Sequence, residues 1–345
     1  MRKRFLILCS VALWTSACLS APALQIRVDA GKPGARINPA MWGIFFEDSN
    51  FAADGGLYAE LVKNRGFEFP DSWMGWSKII PTNAVGSVEI RDEDPCDTAN
   101  PHYVRIRTGF FSSAFGIANE GFRGMGIREH AKYRFSVQAR AIAGKPVLRV
   151  ELRNNNGSRI AGANLSGFSF KWEPYSTEFR ADAADLGAQL ALIVEGPGIL
   201  ELDMISLFPV DTWKHRVNGL RADVVQLLAD LKPGFMRFPG GCIVEGRDLN
   251  NRYRWKNTIG DPADRHLIIN RWNTEFKNRA TPDYFQSFGL GFFEYFQLCE
   301  DIGAEPLPII NCGMACQFNS GQLASLEELG SYIQDALDLV EFANG

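Results

Sequence analysis

The run Phe235-Met236-Arg237-Phe238, broken at once by Pro239-Gly240-Gly241, constrains the fold more than any other stretch. A short apolar strand ends there, because proline brings no donor to a ladder and paired glycines favour a turn. A helical period precedes it. Leu220, Val224, Val225, Leu227, Leu228 and Leu231 recur at helical spacing up to a stop at Lys232-Pro233-Gly234. Helix, tight turn, buried strand and glycine-rich loop form a piece of an α/β barrel or of a doubly wound sheet. In both, loops beyond the strand carboxyl ends build the active site. Taken alone, Pro-Gly-Gly marks no more than a turn.

The same unit recurs downstream. Phe292, Phe293, Phe296, Cys299 and Ile302 predict a helix ending at Gly303, and Pro306 to Asn311 a short apolar strand with a polar end. Ser325 and Glu328 form a capping box, opening a helix that carries Leu329, Ile333, Ala336, Leu337, Val340 and Phe342. Nearer the start, Leu24 to Val28 alternates like a strand. Met41 to Phe46 predicts a strand buried on both faces and ending at Glu47-Asp48. Gly55-Gly56 opens a helical run with Leu57, Tyr58, Leu61 and Val62 on one side. Between about residues 70 and 210 the period changes to two, as in Tyr103–Arg107, Tyr133–Val137, Leu148–Leu152 and Leu200–Met204. Several strands with turn signals between them predict a β-sandwich. A polar, aromatic loop from Arg247 to Pro282 carries Trp255 and Trp272, and loops of that length are usually functional or disordered.

Met1-Arg2-Lys3-Arg4, the apolar run Phe5–Trp14 and Ala21-Pro22-Ala23 have the form of an export signal. The run is too short to span a bilayer. This predicts a secreted or periplasmic protein, cleaved within residues 1–23, with lipidation at Cys18 as the alternative. The net charge of −4 and the lack of a basic patch give no reason to expect a nucleic-acid partner. Beyond the leader an odd set of cysteines remains, Cys96, Cys242, Cys299, Cys312 and Cys316, which argues against a complete disulfide framework. Cys299 reads as a small core residue. Cys312 and Cys316 have no histidine cluster near them, so neither a metal nor another cofactor is expected.

Gly43-Ile44-Phe45-Phe46-Glu47, Gly55-Gly56-Leu57-Tyr58-Ala59-Glu60-Leu61, Asn64-Arg65-Gly66-Phe67-Glu68, Arg237-Phe238-Pro239-Gly240-Gly241-Cys242, Trp255–Gly260 and Gly303–Asn311 resemble, in this order, the α-L-arabinofuranosidases of glycoside hydrolase family fifty-one. The resemblance covers nearly all of the mature chain. It implies an α/β fold, a partial (β/α)8 TIM barrel interrupted by an all-β jelly-roll sandwich like a carbohydrate-binding module. It divides the chain into a signal (1–23), a first part of the barrel (24–69), the sandwich (70–210) and a continued, truncated barrel (211–345).

The resemblance also implies hydrolysis of terminal arabinofuranosyl residues of plant polysaccharide by a retaining, two-carboxylate mechanism. Both catalytic glutamates are then expected beyond residue 345, so no catalytic residue is assigned in this chain. The chain alone should not turn over an aryl arabinofuranoside. Glu47 matches the family's sugar-binding glutamate. Cys242 matches a position beside the glycines that is asparagine in many members, with a packed thiol as the alternative. Asn311 either orients substrate or caps its strand. Asp48 and Glu245 read as structural or loop acids, and Trp172 and Tyr175 as sandwich core or sugar-stacking rings. A non-catalytic carbohydrate-binding protein is the alternative function.

Overall fold

The computed structural model describes residues 26–82, 85–109, 115–274 and 284–345. The export signal (1–23), Leu24, Gln25 and the end of the long loop at Pro282 lie outside the described residues. Residues 26–38 belong to a leading unit of their own. Among the described residues, residues 26–28 pair with no strand, and Ile26 and Val28 are exposed. The expected strand is therefore not formed there. No described helix is long and apolar enough to cross a membrane.

In the second unit the chain begins with a two-residue strand, β1 (Ile44–Phe45). Eleven strands follow: β2 (Trp76–Ile79), β3 (Gly86–Arg91), β4 (Tyr103–Thr108), β5 (Phe115–Asn119), β6 (Met125–Ile127), β7 (Lys132–Gly144), β8 (Val147–Arg153), β9 (Arg159–Leu165), β10 (Glu173–Arg180), β11 (Asp185–Glu195) and β12 (Gly198–Pro209). They make two antiparallel sheets, ordered β10-β7-β12-β4-β3 and β2-β5-β11-β8-β9, with β6 also on β11. The two-residue period explains the packing. Tyr133, Phe135, Val137 and Ala139 of β7 point into one core with Val104 and Ile106 of β4 and Leu148, Val150 and Leu152 of β8. Trp172 and Tyr175 are half-buried at this sandwich's surface. The Arg140 guanidinium lies 4.6 Å from the Trp172 ring centroid, and Tyr175 packs edge-on against Phe168.

The chain then returns to helical period. α1 (Ala222–Asp230), β13 (Phe235–Phe238), a one-turn α2 (Gly241–Glu245), the two-residue pair β14 (Ile268–Ile269) and β15 (Phe285–Gln286), α3 (Phe292–Ile302), β16 (Glu305–Pro308) and α4 (Leu329–Asn344) follow. β1, β13 and β16 form a parallel sheet with β13 in the middle. Met236 and Phe238 bury one face of β13 against α3, and the Phe238 ring stacks on Tyr295 at 4.5 Å. On the other face Phe45, Arg237 and Leu307 lie in register across the three strands.

Five expectations change. Pro239-Gly240 ends β13, but Gly241 starts the single turn of α2 rather than continuing as loop. Met41–Phe46 is not buried on both faces. Only Ile44 and Phe45 form the strand, β1 has one neighbour among the described residues, and Met41, Trp42 and Phe45 are exposed. Residues 55–62 form turns and bridges, not a helix. Tyr58 bridges to Leu220, and the Glu60 carboxylate accepts the Val62 and Leu207 amides, so long-range partners replace helical ones. Phe293 faces outward while Tyr295 and Leu298 fill the core. Ile333, Leu337 and Val340 of α4 are exposed, and Tyr332 and Leu339 are the buried residues of that helix.

Candidate functional site

The three parallel strands bring Glu47, the Gly240–Cys242 segment and Asn311 to one end of the sheet, because each follows the carboxyl end of its strand. The β1–β13 pairing continues past the formal strand. The Phe46 amide donates to the Arg237 carbonyl at 2.8 Å and the Asp48 amide to the Pro239 carbonyl at 2.9 Å. Glu47 is therefore held beside Gly240. Gly240 has a φ of +120°, which L side chains rarely adopt. A Cβ there would stand 2.7 Å from Glu47 Cγ, so the glutamate lies against a bare α-carbon. Glu47 itself is half-buried at this end of the sheet, the mouth of the site.

Cys242 sits in the turn of α2, also half-buried. Burial pushes its thiol up, Arg271 opposes this, and Cys316, Glu47 and Glu245 add to the rise. Asn311 is committed to the backbone. Its amide donates to the Val244 carbonyl at 2.7 Å and the Met314 carbonyl at 2.9 Å, and its oxygen accepts the Gly313 amide at 2.7 Å. The capping alternative describes these contacts, with Asn311 tying β16's exit to the end of α2.

Next to Glu47 in the chain is Asp48, for which the structural alternative describes the contacts. Asp48 is buried and accepts hydrogen bonds from the Tyr284 hydroxyl, from Gln286 Nε2 at 2.7 Å and from the Ala53 amide at 3.1 Å. Its own carbonyl accepts from Asn270 Nδ2 at 2.6 Å. Burial drives its pKa up to about 6, with nearby Asp54 adding to the rise, against the lowering effect of the Tyr284, Gln286 and Ala53 hydrogen bonds. Asp48 thus clamps the β14–β15 pair under the strand ends and fixes the backbone that carries Glu47.

A residue that no sequence signal marked is Arg271, almost fully buried. It donates from Nη2 to Cys316 Sγ at 2.9 Å and from Nε to Asn319 Oδ1 at 3.1 Å, and its guanidinium lies 4.2 Å from the Trp272 ring centroid. One ligand atom from each of Cys242, Glu245 and Cys316 lies within 4.8 Å of the others. Two sulfurs and a carboxylate would suit a soft or borderline cation. A guanidinium already bonded to one of the sulfurs opposes a divalent ion at that place.

Residues 227–345 match the family model described as the alpha-L-arabinofuranosidase 1 domain. An extracellular exo-alpha-L-arabinofuranosidase of Streptomyces chartreusis is 37% identical over 338 residues, covering 93% of this chain and 38% of its own length. Alpha-L-arabinofuranosidase 1 of Arabidopsis thaliana is 37% identical over 340 residues, covering 94% of this chain and 47% of its own length. Among solved structures, an arabinose-bound MgGH51 α-L-arabinofuranosidase superposes with a TM-score of 0.79 at 31% identity, covering 90% of this chain and 50% of that one. The chain thus spans half or less of the length of these relatives.

Proposed function

We infer that this chain, a member of the α-L-arabinofuranosidases of glycoside hydrolase family 51, supplies the arabinofuranose-binding face of an enzyme that removes arabinofuranosyl residues from arabinose-containing glycans. The observation that carries the reading is the position of Glu47 beside Gly240 and the turn bearing Cys242, at the carboxyl ends of parallel strands in a chain that superposes on an arabinose-bound relative. A carboxylate at that mouth accepts two sugar hydroxyls in charge-assisted hydrogen bonds. The Cys242 thiol lines the same mouth. Asn311 acts at one remove, holding the 311–314 turn against α2.

In this reading β1, β13 and β16 are strands of a (β/α)8 barrel, and the row of exposed Phe45, half-buried Arg237 and exposed Leu307 belongs to its interior face. Residues 70–210 form the sandwich domain set into it, and the protein is exported, as its extracellular relative is. Retaining hydrolysis requires an acid and a nucleophile on either side of the scissile bond. We assign neither role to a carboxylate of this chain. Calorimetric titration with methyl α-L-arabinofuranoside tests the binding role. Glu47→Gln replaces charge-assisted bonds of about 1.5–3 kcal/mol, so affinity should fall about 10- to 100-fold. Equal affinity of the two proteins would remove Glu47 from the site.

A further inference from the structure

Cys242 and Cys316 come from different segments, one in α2 and one beyond β16, yet their sulfurs lie within 4.8 Å of each other. The backbone between them is already tied, because the Gly246 amide donates to the Cys242 carbonyl at 3.2 Å and the Cys316 amide to the Gly246 carbonyl at 3.1 Å. The two thiols differ in access. Cys242 is half-buried at the mouth, whereas Cys316 is fully buried with its sulfur bonded to Arg271. Cys312 is exposed, and Cys299 is buried within α3. We propose that Cys242 and Cys316 are a reversible disulfide site, in which Cys242 exchanges with a low-molecular-weight disulfide and Cys316 resolves the product into an internal bond.

The steps balance. The Cys242 thiolate attacks one sulfur of the solution disulfide, forming a mixed disulfide and releasing one thiolate. Cys316 Sγ then attacks Cys242 Sγ and expels the second thiolate. Arg271 faces the charge on Cys316 Sγ as it does so. The two protein thiols lose two electrons, the added disulfide gains them, and the two protons pass to the departing thiolates. The sulfurs must close to about 2.05 Å, which asks for movement of the short α2 turn rather than of the parallel sheet. Oxidation therefore withdraws the Cys242 thiol from the mouth beside Glu47 and staples α2 to the segment after β16. This inference does not rest on the sugar-binding reading.

Its test uses the folded full chain equilibrated in buffers of oxidised and reduced glutathione, acid-quenched, alkylated and mapped without reduction. Cleavage at Met314 separates Cys312 from Cys316. The expected result is one cross-link joining Cys242 to Cys316, formed at a glutathione ratio at least about 10-fold more reducing than the urea-unfolded chain requires. With Cys316→Ser, Cys242 should stop at the glutathione adduct. With Arg271→Gln, closure should slow by about 10-fold, and by more than the first exchange does, because Arg271 is bonded to the Cys316 sulfur and acts on Cys242 only through its charge. Alkylation of both thiols at every ratio, bonding of either to Cys312, or a cross-link no more favoured than in the unfolded chain would overturn the proposal.

Discussion

Replacing Asp48 by asparagine separates the shape of the buried clamp from its charge. Asp48 has a pKa of about 6 in the folded chain against an ordinary value of 3.8, mainly because burial removes water from its carboxylate. The folded chain holds this proton more tightly than the unfolded one. The stability linked to it is complete below pH 3.8, is lost as pH rises through 6, and stays lost at neutral pH. The difference corresponds to about 3 kcal/mol. Asparagine with its oxygen in the Oδ1 place keeps the Ala53 and Tyr284 donors, and its amide then faces Gln286, whose side-chain amide can flip to present its oxygen as acceptor.

Asp48→Asn should therefore be more stable than wild type at pH 7, by up to about 3 kcal/mol, and should lack most of the wild-type gain in stability between pH 6 and pH 4, so that the two proteins converge at low pH. The gain linked to Glu60, whose burial raises it to about 7, is shared by both proteins. Urea unfolding midpoints at half-unit steps from pH 4 to 8 read this directly. Parallel curves for the two proteins would refute the reasoning. So would a loss of several kcal/mol for Asp48→Asn at pH 7, because the charge itself would then be holding the clamp.

Gly240→Ala should cost about 1–3 kcal/mol in thermal unfolding and should weaken arabinofuranoside binding about 10-fold, because the new Cβ meets Glu47 Cγ at 2.7 Å at a φ of +120°. Unchanged binding would show that the glutamate's seat against Gly240 is unimportant. In the sandwich, Glu201 is fully buried between Arg105 and Arg140. Breaking such a pair costs about 3–5 kcal/mol, so Glu201→Ala should lower the urea midpoint strongly, and a shift of under about 1 kcal/mol would contradict the buried-pair account.

Where local period governed the outcome, the sequence was readable. Val224, Val225 and Leu228 did predict α1, the run Phe235–Phe238 did become the central strand, and Gly303 does end α3 in the left-handed conformation. The shared carboxyl end of three parallel strands followed from those units, and with it the grouping of Glu47, Gly240–Cys242 and Asn311. Residues 55–62 were misread because their partners are remote, since Glu60 bonds the amide of Leu207, 147 positions away. Which of the two alternatives held for Asp48, structural or loop acid, was not legible for the same reason. Tyr284 lies 236 positions further along, and no local pattern marks an acid that will be buried by so distant a segment. Apolar residues on α4 gave the helix correctly but not its covered face, since Ile333 and Leu337 point outward while Tyr332 and Leu339 point in. The thiol pair was hidden for a simpler reason, because Cys242 and Cys316 share no spacing that signals a common site.

Whether the carboxyl end of the parallel sheet holds an arabinofuranose ring is read from a crystal structure of the chain soaked with methyl α-L-arabinofuranoside. The ring is expected at the mouth, with two hydroxyls within hydrogen-bond distance of the Glu47 carboxylate and the Cys242 sulfur against the sugar. A ring bound instead in the cleft of about 540 Å³ that Tyr58, Glu60, Arg128, Tyr133 and Arg221 help to line, with the Glu47 mouth left to solvent, would contradict it.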